Sequence, residues 1–267
     1  MRKKMKIEIV KECRDWFDNY VRSFTTEDRE FQQNIDMKEN HTLRVCDEIK
    51  HLGEDLGLNN GNLSLAEILA LFHDIGRFEQ YSRYRTFVDR DSEDHAALGV
   101  KILTENNVLA GIDDPKQNLI LRSISYHNRA TLPEKETSEC LFFTKLLRDA
   151  DKLDIWKVVT DYYRRKNRRR NPAIELGLPD TPGISEKVYE ALIKEKFVNA
   201  VHLNNLNDFK LLQIGWLYSI NFSPTFDRIK ERRYLDTIRD HLPRTEQIDR
   251  IFSVVQNYLT RSLDAAG

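Results

Sequence analysis

The chain is poor in cysteine, proline, glycine and net charge, and each shortage narrows what it can be. Its 267 residues hold three cysteines, Cys13, Cys46 and Cys140, at no paired spacing. A disulfide framework is therefore not expected, and a reducing, cytoplasmic setting is. Ten glycines and seven prolines fall mostly between periodic segments. Strand-like alternation is hardly visible, which argues against a β-rich fold. The formal net charge of −1 leaves no global basic field, so nucleic acid is not an expected partner. No apolar run reaches membrane-spanning length. The nearest, 211–222, is short and contains Gln213 and Asn221, so it reads as a buried helix. Residues 1–6 are basic, but 7–12 carry Lys11 and two glutamates and make no secretory apolar region. A membrane partner is not expected.

What is present is helical period in almost every segment. Apolar residues recur at helical spacing over 7–25, 37–56, 64–76, 93–106, 114–127 and 138–166, and then over 185–202, 206–221, 225–241 and 245–263. The expected fold class is all-α. Asn59-Asn60-Gly61-Asn62 reads as a turn. Gln80 to Asp91 is polar, aromatic and rich in arginine, and reads as a loop over a site. The run 164–170 is basic and suits the negative end of a helix dipole. Trp156 and Tyr162 read as core, and His51, His202 and His241 as structural or exposed.

The organising stretch is 64–77. Ser64 and Glu67 have capping-box spacing, which predicts a helix start there. Ile68, Leu69, Leu71, Phe72 and Ile75 then make a helix that is apolar nearly all round and hence buried. His73 and Asp74 sit at its end, and Gly76 is placed to end or bend it. A buried pair able to carry charge must be compensated, and a metal ion does that well. Four further candidates obey the same logic: His41, His95, His127 and Asp151. Apart from the adjacent pair, each candidate falls on a different predicted helix, on or beside an apolar face. Helical bundles build metal sites from facing side chains in this way. Imidazole and carboxylate without thiolate favour Mn, Fe, Zn, Ni or Co.

In this order, His41, His73-Asp74 and Asp151 within Asp-Ala-Asp-Lys-Leu-Asp, the chain resembles the HD superfamily of metal-dependent phosphohydrolases. The resemblance covers about residues 36–165, and Phe72-His73-Asp74-Ile75-Gly76-Arg77 is its most specific piece. His95 and His127 match the subset with an H…HD…H…H…D pattern, whose members hold two metals. The expected organisation is an N-terminal helix plus a metal-site helical core, of the HD type by this resemblance, over 1–170, with a C-terminal helical extension over 171–267 packed on it. It implies that His41, His73 and Asp151 bind one metal, that His95 and His127 bind the other, and that Asp74 bridges both. Three departures narrow the choice. Phe78-Glu79 stands where guanosine-tetraphosphate hydrolases carry Glu-Asp, and Arg77 where mononuclear nucleotidases carry glutamate. His127-Asn128 stands where cyclic-di-GMP phosphodiesterases carry two histidines.

The function expected from this resemblance is hydrolysis of a phosphate ester or anhydride of a small molecule or nucleotide. The cofactors would be two divalent transition metals, Fe or Mn first, with Zn, Ni, Co or Mg as alternatives. Two such ions against two aspartates leave a positive centre that attracts phosphate and generates a bridging hydroxide as nucleophile. Arg77 and Lys152 are the candidate phosphate clamps, and Asp154 a candidate partner for a ligand histidine. A di-iron oxygenase on the same ligands and a non-catalytic ligand-binding module are the competing readings. Self-association stays open.

Overall fold

The computed structural model describes residues 2–165 and 170–265, so residues 166–169 of the basic run lie outside the described residues. The fold is all-α, with no strand among the described residues. None of the described helices is long and apolar enough to cross a membrane. The chain divides into two compact units, Met1–Asp154 and Ile155–Gly267. Sequence punctuation points to a division near 170, where arginines and prolines cluster. The compact units instead divide inside an unbroken helix, where composition carries no signal.

The first unit contains α1 (Arg2–Arg22), α2 (Arg29–Asp55), α3 (Asn60–Phe72), α4 (Gly76–Tyr84), α5 (His95–Glu105), α6 (Asp114–Tyr126) and most of α7 (Ser138–Arg164). Helix α3 is its axis. It packs against α1, α2 and α6, and its residues from Leu65 to Phe72 are buried apart from Glu67. That is why its sequence lacks a polar face. All three cysteines are free and buried in this unit.

The start of α3 differs from expectation. Its cap is Asn59, whose side chain accepts from the backbone N–H of Gly61 at 2.9 Å and of Asn62 at 3.1 Å. Ser64 lies inside the helix and its hydroxyl donates to the Asn60 carbonyl at 2.9 Å. Glu67 receives Arg14 at 2.6 Å instead of closing a capping box. The Asn-rich turn and the helix cap use the same local hydrogen bond, so the turn signal was the helix start. Asn59→Ala should cost about 1 kcal/mol of stability in urea denaturation. Ser64→Ala should stay within about 0.5 kcal/mol of the parent. Equal losses at both positions would return the cap to Ser64.

Two further expectations are revised. Gln80 to Tyr84, read as loop, form the last part of α4, and only the stretch beyond Tyr84 is irregular, ending in a short 3-10 turn, Asp89–Asp91. Gly76 opens α4 rather than closing α3, and its φ is not positive. A Cβ there would lie 2.2 Å from the His95 carbonyl oxygen and 2.7 Å from the Gly99 nitrogen. The glycine is needed because α4 and α5 approach backbone to backbone. At the start of α7 the Thr137 hydroxyl accepts from the Cys140 N–H at 3.2 Å and caps the helix.

The second unit holds the end of α7 and α8 (Pro172–Glu175), α9 (Glu186–Ile193), α10 (Leu206–Gly215), α11 (Ser223–Glu231), α12 (Tyr234–Arg239) and α13 (Glu246–Asp264). Helix α10 is buried along its whole length. The long periodic segments read as 185–202 and 225–241 are broken, with Glu195 and Arg233 in the left-handed region at φ 52° and 53°. Trp156 is fully buried in this unit, its indole N–H donating to the Gln213 carbonyl at 3.0 Å.

Candidate metal centre

The six candidate residues meet in the first unit, but not all from helix interiors. His41 lies in the middle of α2 and Asp151 in the body of α7. His95 is the first residue of α5, set by the Asp94 cap that accepts from Ala96 and Ala97. His73 and His127 each come directly after the last residue of a helix, α3 and α6. In both, Nδ1–H turns back to the carbonyl three residues earlier, Ala70 or Ile124, at 2.7 Å. A helix end leaves such carbonyls without intrahelical partners. The same local device therefore caps the helix and aims the opposite ring nitrogen, Nε2, at the centre.

The other two histidines are aimed by carboxylates. His41 Nδ1 lies 2.7 Å from Asp154 Oδ2, and Arg44 grips Asp154 through Nε at 2.5 Å and Nη2 at 3.0 Å. His95 Nδ1 lies 2.7 Å and 2.9 Å from the two oxygens of Asp89. All four rings thus spend Nδ1 on a fixed partner and present Nε2, as histidines oriented for a metal do.

The Nε2 atoms gather in two groups around Asp74. Oδ2 of Asp74 lies 3.5 Å from His41 Nε2 and 3.6 Å from His73 Nε2. Oδ1 faces the other way, 3.3 Å from His95 Nε2 and 3.8 Å from His127 Nε2. Asp151 Oδ1 closes the first group, 3.2 Å from His41 Nε2 and 3.7 Å from His73 Nε2. His41, His73 and Asp151 could hold one ion, and Asp74, His95 and His127 another, the ligand atoms in each set lying within 4.8 Å of one another.

The donors fit a cation on an independent count. Nε2 of His41 and of His73 are buried and have no hydrogen-bond partner. Buried polar atoms without a partner are rare and call for an explanation such as an ion. The electrostatics agree. Burial disfavours the Asp74 carboxylate, but Lys38 and the surrounding histidines outweigh it and hold its carboxyl well below the usual range. Burial likewise opposes the Asp151 carboxylate, and the neighbouring imidazoles of His41 and His73 prevail and hold its carboxyl well below the usual range. Burial and Lys38 oppose a proton on His41, yet Asp151, Asp154 and Asp74 push it up to about 10. The His41 side draws a proton that an entering ion would displace, whereas on the other side burial and Arg77 bring His95 down to about 4.

Cations surround the group. Lys38, one turn before His41, places Nζ 2.5 Å from Asp74 Oδ2. Arg77 is more committed than a free clamp: Nη1 donates to Gln80 Oε1 at 2.7 Å, to the Phe87 carbonyl at 2.6 Å and to Asp89 Oδ1 at 2.7 Å. Its Nε lies 3.6 Å from Asp74 Oδ1. Lys152 is half-buried, and burial with the nearby Arg148 brings its ammonium down to about 8. Arg148, one turn before it, donates to the carbonyl of Arg129, two residues past His127. Lys38, Arg44, Asp89 and Arg148 were not singled out from sequence. Lys38 and Arg44 were readable, since both lie three residues from His41 on one helical face. Asp89 carried no periodic signal.

No curated protein and no solved structure matches the chain. The family model of the HD domain does match, over residues 39–156, a stretch that contains all six convergent side chains. Over that segment, and not over the rest, the chain is similar to the HD-domain family.

Proposed function

We propose that this HD domain is a two-metal phosphohydrolase that cleaves a phosphate ester or anhydride of a small molecule or nucleotide with water. The observation that carries the reading is Asp74, whose two oxygens face two separate pairs of histidine nitrogens. In this reading His41, His73 and Asp151 hold one ion, His95 and His127 the other, and Asp74 both. Divalent ions held there, Mn or Fe before Zn, Ni, Co or Mg, supply Lewis-acid polarisation of phosphoryl oxygens and lower the pKa of a water. The chain's own cations supply the rest. Lys38, Arg148 and Lys152 stand beside the ligands on α2 and α7 and neutralise phosphoryl charge. Arg77 ties Asp74 to Asp89 and so fixes the bridging carboxylate.

The test uses Mn-loaded protein under strict anaerobiosis with phosphomonoesters, nucleotides and dinucleoside polyphosphates in ¹⁸O-water. Phosphate or nucleotide should be released, with label on the phosphoryl product. Turnover seen only with iron and only in air, with label arriving from ¹⁸O₂, would overturn hydrolysis in favour of an oxygenase on the same ligands. Tight binding of one of these phosphates without turnover under any metal would overturn it in favour of a binding module.

A further inference from the structure

The two halves of the centre are built alike but anchored differently. Each half has one histidine aimed by a backbone carbonyl, His73 or His127, and one aimed by a carboxylate, His41 or His95. The difference lies in the carboxylates. Asp154 sits in the body of α7, its side chain 1% exposed, between His41 and a two-point grip from Arg44. Asp89 sits on the short 3-10 turn after α4, its side chain 31% exposed. It has no helix to hold it. Side chains do so instead: Arg77 Nη1 at 2.7 Å, Gln80 Nε2 at 2.9 Å and Asn128 Nδ2 at 3.3 Å. Asn128 also reaches Asp94 at 2.9 Å. Just before the turn, Phe87 is buried and stacks on Tyr81 with ring centres 4.6 Å apart.

We infer that Asp89 is a positioning residue that makes the two metal sites unequal: the His95–His127 site is the exchangeable one, and its affinity depends on the turn that carries Asp89. The inference rests on the two-metal reading above. A partner carboxylate both orients an imidazole and raises its basicity, and its loss costs metal affinity about 10–100-fold. Asp154 delivers that effect from a buried, rigid position. Asp89 delivers it from a position that water reaches, where charge is screened and the backbone opens at low cost. The His41–His73 site therefore keeps its ion when the other is lost.

The experiment loads the full-length protein with Mn²⁺ and removes it stepwise with a chelator. Bound metal is counted by elemental analysis and pairing is tracked by electron paramagnetic resonance. Wild type should lose its ions in two steps, with the exchange-coupled signal giving way to a six-line mononuclear signal at the first. Asp89→Ala should weaken the more labile ion ~10–100-fold and leave the tighter one in place. Asp89→Asn, which keeps an acceptor without the charge, should fall between. Asn128→Ala removes a brace from Asp89 and touches no ligand, so it should weaken the same ion by a smaller factor with the fold intact. Loss of both ions in one step from wild type, or unchanged affinities in Asp89→Ala and Asn128→Ala, would overturn the inference while leaving the two-metal reading in place. A wild-type protein saturating at one ion would overturn that reading itself.

Discussion

Asp74→Ala protein is expected to retain neither ion and to lose catalysis altogether. No other described side chain places oxygens against both histidine pairs, at 3.3 to 3.8 Å on one side and 3.5 to 3.6 Å on the other. The two ions of such a site stand about 3.5–4 Å apart. At that range a pair of unit charges repels by about 4 kcal/mol at an effective dielectric constant of about 20, and doubly charged ions by roughly four times as much. Negative charge between them is what makes joint occupancy favourable. Removing it also leaves Lys38, 2.5 Å from Asp74 Oδ2, with its positive charge uncompensated beside both sites. Elemental analysis of protein purified without chelator should read close to no metal, against two per chain in the parent. Asp74→Asn preserves the volume and should lose metal as well, which separates charge from packing. Retention of both ions in either variant would remove Asp74 from its bridging role.

The largest effect on stability is expected at Gly76. A methyl group there meets the His95 carbonyl oxygen at 2.2 Å and the Gly99 nitrogen at 2.7 Å. Both are backbone atoms, so no side-chain rotation relieves the clash, and α4 must part from α5. Overpacking of this kind costs about 3 kcal/mol or more. The displaced carbonyl belongs to His95, so the damage reaches the centre directly. Gly76→Ala should therefore lower the urea midpoint sharply and weaken the ion at His95 and His127 in whatever folded protein remains. Gly99→Ala is the control on the facing helix. Its Cβ would meet Ile75 Cγ2 at 3.2 Å and its nearest backbone atom, Gly76 N, only at 3.4 Å, so the loss should be smaller. If Gly76→Ala stays within about 1 kcal/mol of the parent, the close approach is not what the glycine serves.

The six convergent residues were legible as candidates because each belongs to local structure that short sequence windows report. His41 and Asp151 ride on helix faces with regular apolar spacing. His73 and His127 end apolar helices, and His95 comes just after a capping aspartate. What the sequence hid was cooperation between distant segments. Asp89 reaches His95 only because a turn folds back across α4, and no periodicity marks that. Gly76 looked like punctuation because glycine usually is; only the facing backbone of α5 explains it. The Asn59 cap was concealed by an Asn-Gly-Asn string that reads equally well as a turn. The division between the compact units was invisible because it falls inside α7, where helix-forming sequence continues without interruption.

The candidate ligands run from residue 41 to residue 151 and come from α2, the α3–α4 junction, α5, the end of α6 and α7. Such a site has no counterpart in the unfolded chain. An ion held there would act as a removable staple joining segments between residues 41 and 151. By mass action its binding adds RT ln(1 + [ion]/Kd) to the folding free energy, about 2.7 kcal/mol when the free ion stands at a hundred times its Kd. The supply of metal would then govern how much folded protein persists, and starvation for the ion would thin the population before any substrate is met.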